Sequence, residues 1–398
     1  MKCKLGDYIR IKHGFAFKGE YITAENNGVV LVTPGNFEIG GGFKEDKCKF
    51  FNGDYPKEYV LSPYDLIVTM TDLSKQGDTL GYSALVPKTN RVYLHNQRIG
   101  LVDVYNPKAD KMFIYWLMRT QKYQKTIVAT SSGSTVKHTS PSRIYDVEVD
   151  LPPIDVQKKI AAILSALDEK IAINRAINDN LEETAQSLFQ EQFAAFYNEN
   201  ELPDGYSIAT LDSLCSIKGG KRLPADGELL DTPTAHPYIR VRDLGSNRYV
   251  CLTNQFQYID EETHSAISRY IVNTNDIVIS IVGTIGLIGK IHTSLNNANL
   301  TENCVKLANI HTVTPDYLYY TLCYKKQIKE IELLTVGAVQ SKLPMYNIQS
   351  MKILVPPAEV IEDFQHKFDI FNEQIEANTI EIQRLYELQS VLLAKLAY

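Results

Sequence analysis

The sequence predicts an α+β fold in which two mixed, mostly β domains alternate with two long helices that pair as an antiparallel coiled coil. Three observations predict it. The chain of 398 residues is too long for one ordinary core. Its second half repeats motifs of the first half about 204 residues later. Heptad-spaced apolar residues follow each copy. The fold is therefore predicted to be an internal repeat with a pseudo-two-fold axis.

The repeat is supported by motifs that occur in the same order in both halves. The matched stretches are 5–14 with 211–220, 59–71 with 270–282, 94–102 with 300–308, 113–118 with 317–322, and 131–138 with 335–342. Gly14 aligns with Gly220, and Gly133 aligns with Gly337. Each match is weak alone, but their shared order indicates a duplicated domain followed each time by a helix.

The domain boundaries follow from two Pro-Pro pairs, at 152–153 and 356–357. Proline is tolerated in the first turn of a helix and biases its predecessor away from helix, so each pair ends a strand and begins a helix. The predicted domains are 1–152 and 201–356, and the predicted long helices are 153–200 and 357–398. Inside the domains, short helices are clearest at 111–125 and 315–331.

The two long helices carry a seam of residues spaced alternately four and three apart, which is typical of a coiled coil. The predicted seam consists of Ile160, Leu164, Leu167, Ile171, Asn174, Leu181 and Leu188 in the first helix, and Phe364, Phe368, Phe371, Ile375, Asn378, Ile382, Leu385 and Leu392 in the second. Asn174 and Asn378 occupy the same seam position. Such a residue either fixes the register of the pair or is merely tolerated there.

Composition and motifs argue against several classes of protein. Six scattered cysteines without a CxxC pair, and eight histidines without HxxxH or HExxH spacing, predict neither a metal site nor disulfides. The stretch 283–290, GTIGLIGK, lacks the first glycine and the final Ser/Thr of a phosphate-binding loop. With no catalytic motif, no long apolar run and no export signal, we expect a non-catalytic cytoplasmic protein without a metal or cofactor of its own.

The charge distribution leaves DNA open as a partner. The chain carries a formal charge of −6. The segments 157–200 and 359–398 together carry −8, so the remainder carries +2. The acidity belongs to the helices, and the predicted β domains are mildly basic.

Polar and basic loops flanked by aromatic residues recur at matched places in the two domains. Arg and Lys read guanine edges, Asn and Gln read adenine, and Ser, Thr and Lys hold phosphates. The predicted DNA-binding residues are Lys12, His13, Lys18, Thr71, Lys75, Gln76, Gln97, Arg98, Thr135, Lys137 and His138 in the first domain, and Lys218, Lys221, Arg222, Arg240, Arg242, Thr284, Gln340 and Lys342 in the second.

With these features the chain resembles the specificity subunit of type I restriction-modification systems, which defend cells against foreign DNA. The resemblance rests on the alternating order, Ile-Lys followed by Gly, the glycine turn before Pro-Pro, and the long helix after it. It implies that each domain is a target recognition domain reading one half of a bipartite site in double-stranded DNA. It also implies that the helices set the spacing and dock two DNA adenine methyltransferase subunits.

The resemblance further implies a restriction and translocation subunit as a partner, with S-adenosylmethionine, ATP and magnesium belonging to the partners. One departure concerns the family's Glu-Gln after Pro-Pro, where this chain has Val156-Gln157 and Ile361-Glu362. Two alternatives remain open from the residues alone. The first is a coiled-coil scaffold with two protein-binding domains, which the acidity favours. The second is a stand-alone DNA-modifying enzyme, which the missing motifs disfavour.

Overall fold

The computed structural model describes residues 2–46, 48–74, 76–197, 202–245, 248–253, 256–337 and 341–396. The chain divides into two units. Unit 1 comprises Met1–Ile171 and Leu385–Tyr398, and unit 2 comprises Ala172–Arg384. Each unit contains one β domain together with parts of both long helices.

Unit 1 is built mainly from short strands. They are β1 (Lys2–Lys4), β2 (Ile9–His13), β3 (Ile22–Thr23), β4 (Val29–Val32), β5 (Lys49–Phe51), β6 (Val60–Leu61), β7 (Leu66–Thr69), β8 (Thr71–Asp72), β9 (Ser83–Leu85), β10 (Val92–His95), β11 (Ile99–Val104), β12 (Lys137–His138) and β13 (Glu148–Asp150). They form a five-stranded sheet β3-β5-β4-β10-β6, a four-stranded sheet β2-β11-β7-β9, and the pairs β1-β13 and β8-β12. Strand β7 is buried along its whole length, as a β-branched central strand requires. The helices that begin in unit 1 are α1 (Lys111–Leu117), α2 (Gln121–Ala129), α3 (Pro141–Tyr145) and the long α4 (Ile154–Phe193).

Unit 2 has the corresponding set of elements. Its strands are β14 (Ser207–Thr210), β15 (Ser216–Gly219), β16 (His236–Ile239), β17 (Tyr249–Val250), β18 (Gln257–Ile259), β19 (Ile277–Ser280), β20 (Ile288–Ile291), β21 (Asn299–Leu300), β22 (Cys304–Ala308) and β23 (Lys352–Val355). They form the sheets β15-β22-β19-β20-β17 and β18-β16-β21 and the pair β14-β23. The helices that begin here are α5 (Glu261–Ile267), α6 (Pro315–Cys323), α7 (Lys325–Leu334), α8 (Met345–Ser350) and the long α9 (Ala358–Leu396).

The predicted repeat is present in the topology. The order β2-β11-β7-β9 in unit 1 matches β15-β22-β19-β20 in unit 2, and the parallel pair β4-β10 matches the parallel pair β16-β21. In both units two short helices follow the long strand β11 or β22, and a third precedes the last strand. The α+β class, with two β-rich domains and two long helices, is confirmed.

The predicted short helices are each interrupted. In unit 1 the continuous helix expected over 111–125 is two helices, because Thr120 is extended and its hydroxyl accepts from the Tyr123 backbone N–H, which begins α2. In unit 2 the helix expected over 315–331 breaks at Tyr324, whose backbone is also extended. Apolar periodicity continues across both breaks, so the sequence pattern did not detect them.

The long helices pack against each other and against the domain core within each unit. In unit 1, Ala161 and Leu164 near the start of α4 join the core around Trp116, against which Leu392 and Leu396 near the end of α9 also pack. In unit 2, residues near the end of α4 share the core with residues near the start of α9. The pairing is therefore antiparallel.

The predicted seam residues are buried or half-buried, with Leu188 as the exception. The side chain of Leu188 is 38% exposed, and Phe189 is fully buried in its place. Beyond Leu181 the inward positions of α4 are four residues apart, because Ala185, Phe189 and Phe193 face the aromatic core of unit 2. This end of α4 follows the domain core instead of a strict heptad.

A polar layer interrupts the seam in unit 2. Asn174 Nδ2 donates to Glu381 Oε2 at 2.7 Å, and Asn378 Nδ2 donates to Asn178 Oδ1 at 2.8 Å. The two repeat-related asparagines thus do not pair with each other, and each bonds a polar residue of the opposite helix. Directional bonds between helices favour one register over its neighbours, so these contacts favour the register interpretation.

Candidate nucleic-acid interface

Backbone hydrogen bonds gather several predicted DNA-binding segments of unit 1 at one edge of its four-stranded sheet. The N–H of Phe15 donates to His95 O at 2.8 Å, that of Met70 to Arg98 O at 2.9 Å, and that of Thr139 to Met70 O at 3.0 Å. These bonds join segments 12–15, 71–74, 76–79, 96–98 and 131–138, which we call the loop edge of unit 1.

Unit 2 repeats this frame. The N–H of Lys221 donates to Leu300 O at 2.8 Å, that of Ile281 to Asn303 O at 2.8 Å, and that of Leu343 to Ile281 O at 2.9 Å. The loop edge of unit 2 comprises 218–222, 282–286, 301–303, 335–337 and 341–342. By these hydrogen bonds, Leu300 in unit 2 has the structural position that His95 has in unit 1. The motif alignment matched Leu94 with Leu300 instead, so it is shifted by one residue here. Backbone geometry, not leucine identity, sets the correspondence.

The matched glycines are explained by this frame. A Cβ on Gly14 would lie 2.3 Å from Asn96 O, and one on Gly220 would lie 2.0 Å from Thr301 O. Because the obstacle is backbone in both units, only glycine fits. Gly133 and Gly337 instead have φ of +96° and +108°, which side chains rarely adopt.

Residues 73–74 and 76–79 of unit 1 are organised around a buried carboxylate. Asp72 accepts from the backbone N–H groups of Ser74 (2.6 Å) and Thr79 (2.5 Å) and from the Thr79 hydroxyl (2.6 Å). Burial alone would raise the pKa of Asp72, but these hydrogen bonds outweigh it and hold the pKa below its usual value. The preceding residue, Thr71, contacts His138 Nδ1 through its hydroxyl at 3.1 Å, so two predicted loops meet here.

Most predicted DNA-binding residues are exposed. The exposed ones are Lys12, His13, Lys18, Gln76, Gln97, Arg98, Thr135 and His138 in unit 1, and Lys218, Lys221, Arg222, Arg242, Thr284 and Lys342 in unit 2. Thr71 is buried, and Lys137 and Arg240 are half-buried. Lys75 and Gln340 lie outside the described residues.

Some of these side chains already have intramolecular partners. The guanidinium of Arg240 binds Asp243 at 2.9 Å and also donates to Gln257, so it stabilises the loop that follows β16. Lys12 donates to Glu58 O at 3.1 Å. Lys18 lies 3.9 Å from the Glu20 carboxylate, outside the loop-edge segments.

Arg143 supports the loop edge of unit 1 from outside it, and sequence reasoning missed it. Its Nη1 donates to Ser132 Oγ at 3.1 Å and to His138 O at 3.3 Å, so it supports the loop that carries His138. It lies on α3, outside every predicted loop, and only the tertiary contact identifies it.

Among the described residues, no cluster of three or more His, Cys, Asp or Glu side chains is arranged to hold a metal ion. None of the helices in the described part of the chain is long and apolar enough to cross a membrane. What the loop edges offer chemically is hydrogen-bond donors and positive charge on a rigid backbone frame.

Comparison with known families decides between the interpretations left open by the sequence. The family model described as "Type I restriction modification DNA specificity domain" matches residues 1–183 and again residues 203–384. The chain belongs to this family. It is the DNA specificity subunit of a type I restriction-modification system, the non-catalytic member of that system, and carries no cofactor. It acts together with DNA and with the other subunits of the complex.

Named relatives agree with this assignment. The specificity subunit is 25% identical over 409 aligned positions to the EcoBI specificity subunit of Escherichia coli, covering 96% of this chain and 81% of the relative. It is 24% identical over 305 positions to the MjaIX specificity subunit of Methanocaldococcus jannaschii, covering 72% and 68%. The crystal structure of a type I S subunit from M. genitalium matches the fold with a TM-score of 0.52 at 18% identity, covering all of this chain and 96% of the other.

Proposed function

We propose that the specificity subunit recognises a bipartite sequence in double-stranded DNA, with the loop edge of each unit contacting one half. The observation that carries the proposal is a repeated backbone frame bearing different side chains. The hydrogen bonds make Arg98 equivalent to Asn303, and His138 equivalent to Lys342. Arginine and asparagine favour different bases, so two equal frames with unlike side chains suit two unlike half-sites.

The predicted DNA-binding residues remain the candidates for these contacts, with the proposed recognition domains at 1–152 and 201–356. Because the chain outside the long helices carries only +2 in formal charge, the isolated subunit should bind DNA weakly and with a modest salt dependence. Tight binding in the absence of partners would contradict this part of the proposal.

The helices, proposed as 153–200 and 357–398, would act as the spacer. Helix α4 has 40 residues, which corresponds to ~60 Å of continuous helix. A helix of fixed length can hold two readers at a fixed separation. Inserting one heptad into both helices should therefore lengthen the non-specific spacer and leave the half-sites unchanged. An unchanged spacer would refute this role.

We also propose that the helices dock two DNA adenine methyltransferase subunits. Large apolar side chains are exposed on both helices, including Ile163 (54%) and Ile173 (47%) on α4, and Ile370 (73%) and Val391 (53%) on α9. Apolar side chains that remain exposed on long helices can be covered by a partner protein. In the first helix the Gln157 of the altered motif is buried and bonds Lys108 O and the Asp110 N–H within unit 1, so it serves its own domain.

The remaining partners are proposed from the family. S-adenosylmethionine, ATP and magnesium would belong to the methyltransferase subunits and to a restriction and translocation subunit, and the complex would work in the cytoplasm. Nothing in the loop-edge geometry favours a second function.

Sequencing of methylated adenines tests the proposal. The specificity subunit, co-expressed with the methyltransferase subunits of its own system, should produce a split motif with a fixed spacer. Arg98→Ala should relax one half of the motif, and Lys342→Ala should relax the other. Lys4→Ala, an exposed residue paired with Asp146 away from the loop edge, should change neither. A continuous motif, or a single substitution that alters both halves, would refute the proposal.

A further inference from the structure

An equivalent position on each long helix contacts an arginine of its own domain. Asp168 on α4 and Asn372 on α9 are 204 residues apart, the period of the repeat. Asp168 Oδ2 lies 3.4 Å from Arg119 Nη1 in unit 1, and Asn372 Oδ1 accepts from Arg248 in unit 2. The arginines come from unrelated places, because Arg119 lies between α1 and α2 and Arg248 immediately precedes β17. The contact between helix and arginine thus recurs in both units, although the arginine comes from a different part of each domain.

In unit 1 the arginine joins a β-domain loop to both helices. Arg119 Nε donates to Gly40 O at 2.9 Å, and its guanidinium lies 4.4 Å from the Trp116 ring. Gly41, with φ of +84°, packs so closely that a Cβ would lie 2.5 Å from Arg119 Cγ. Asp168 in turn accepts from Gln389 Nε2 of α9 at 3.1 Å. One guanidinium therefore connects the loop, α1, α4 and, through Asp168, α9.

In unit 2 the arginine makes a similar junction inside the protein. Arg248 is 2% exposed and donates to Asp316 and to the Tyr320 hydroxyl. Asn372 Nδ2 of α9 donates to Asp316 Oδ2 at 2.7 Å. The Tyr320 hydroxyl donates to Glu182 of α4 at 3.2 Å. The residue before β17 is thus connected with α6, α9 and α4.

We propose that these two arginine junctions fix the angle of each recognition domain on its helices and thereby set how strictly the complex holds the spacing between half-sites. The inference rests on the proposed bipartite recognition. One base step along the duplex is only ~3.4 Å, so a small rotation of a domain suffices to accept a spacer one base pair longer or shorter. Asp168 and Asn372 are positioning residues, since they lie on the helices and act through the arginines.

The test is the distribution of spacer lengths in methylated DNA. The full specificity subunit is co-expressed with its methyltransferase subunits, and a library of sites with varied spacers is sequenced for methylated adenine. Asp168→Ala and Asn372→Ala should each raise the methylation of sites one base pair longer or shorter, relative to the preferred site, by about tenfold, the effect of 1.4 kcal/mol. Asp168 is 40% exposed in its side chain, so we expect the chain to fold without its carboxylate.

Matched controls separate positioning from stability. Glu169 and Glu373 are the neighbouring, repeat-equivalent and exposed residues, and Glu169→Ala and Glu373→Ala should leave the spacer ratio unchanged. Asp168→Asn should also preserve it, because unit 2 uses asparagine at this position. A merely structural role would lower methylation of all spacers together and leave their ratio constant, which would overturn the inference.

A second variant approaches the same junction from the loop. Gly41→Ala places a Cβ 2.5 Å from Arg119 Cγ at a φ of +84°, so either the loop or the Arg119 side chain must shift, and the variant should relax the spacer as Asp168→Ala does. An unchanged spacer ratio in both variants would overturn the inference while leaving bipartite recognition intact. Failure of the proposed function would look different, because the wild-type complex itself would then show no split motif.

Discussion

Replacing Asp316 with asparagine tests how strongly the buried charge cluster stabilises unit 2. The Asp316 carboxylate accepts from Lys290 Nζ at 2.6 Å and from Gln365 Nε2 at 2.9 Å, in addition to Arg248 and Asn372. Burial alone would raise the pKa of Asp316, but the two cations outweigh it and lower the pKa to about 2. Burial and the nearby Arg248 keep the pKa of Lys290 below its usual value, because two cations share one close anion.

The size of the effect follows from these contacts. The difference between the usual pKa of 3.8 and a folded pKa of about 2 corresponds to ~2.5 kcal/mol. Removing one partner of a buried ion pair typically costs ~3–5 kcal/mol, because the other charge stays buried. We therefore expect Asp316→Asn to lower the free energy of unfolding of unit 2 by about 3 kcal/mol. With a denaturant slope of ~2–3 kcal/mol/M, the urea midpoint should fall by about 1–1.5 M.

The assay is urea unfolding of the full chain, followed by far-ultraviolet circular dichroism and by the fluorescence of Trp116. Trp116 is the single tryptophan of the sequence and is buried in the core of unit 1, so its signal reports on that unit. The matched control is Lys367→Gln, which breaks the exposed pair with Asp363 and should cost at most ~0.5 kcal/mol. If the dichroism transition of Asp316→Asn has the same urea midpoint as that of Lys367→Gln, the reasoning is refuted.

The lowered pKa of Asp316 also determines how its stabilisation of unit 2 depends on pH. Because the folded pKa of Asp316 is lowered, its stabilisation is fully present above its unfolded pKa of 3.8 and is lost as the pH falls through about 2. The difference in stability between wild type and Asp316→Asn should therefore shrink between pH 4 and pH 2, which urea titrations at several pH values measure. A difference that stays constant over this range would contradict the assigned pKa.

Three further tests, two of them with a matched control substitution, address other parts of the structure. Phe189→Ala should cost ~3–5 kcal/mol in the free energy of unfolding and Leu188→Ala under ~1 kcal/mol, by urea titration, because only Phe189 is buried in unit 2. Equal costs for the two variants would mean that Leu188 contributes as much to the core as Phe189, as a strict heptad predicts. Gly220→Ala should cost ~1–3 kcal/mol, because its Cβ meets the Thr301 carbonyl, whereas Gly219→Ala, whose nearest neighbour is the Met345 methyl at 3.6 Å, should be tolerated. Comparable melting temperatures for the two variants would contradict the close approach. Burial raises the pKa of Glu182 above 4.5, so wild-type stability falls as the pH rises through that folded pKa, and Glu182→Gln should flatten this fall and raise Tm at neutral pH. If the stability of Glu182→Gln depends on pH as that of the wild type does, the raised pKa of Glu182 is wrong.

The candidate site was only partly predictable. The exposed basic and amide residues of the loops were predicted from their types, and the matched glycines indicated that the loops are built alike. Arg143 was missed because it acts on His138 from a helix, and the partners of Arg240 were missed because Asp243 and Gln257 come near it only in the folded domain. Side-chain type indicates what a residue can bind, and the fold decides whether a partner already occupies it.

The amino-acid sequence by itself determined the duplication, the α+β class and the antiparallel helix pair, because motif order and apolar period are local properties written along the chain. Tertiary structure alone decided where those patterns give way. Thr120 and Tyr324 end helices although the apolar period continues past them. Phe189 occupies the buried position expected for Leu188, because that end of α4 packs on the aromatic core of unit 2. The arginine junctions at Asp168 and Asn372 likewise join residues far apart in sequence, so only the packed domains reveal them.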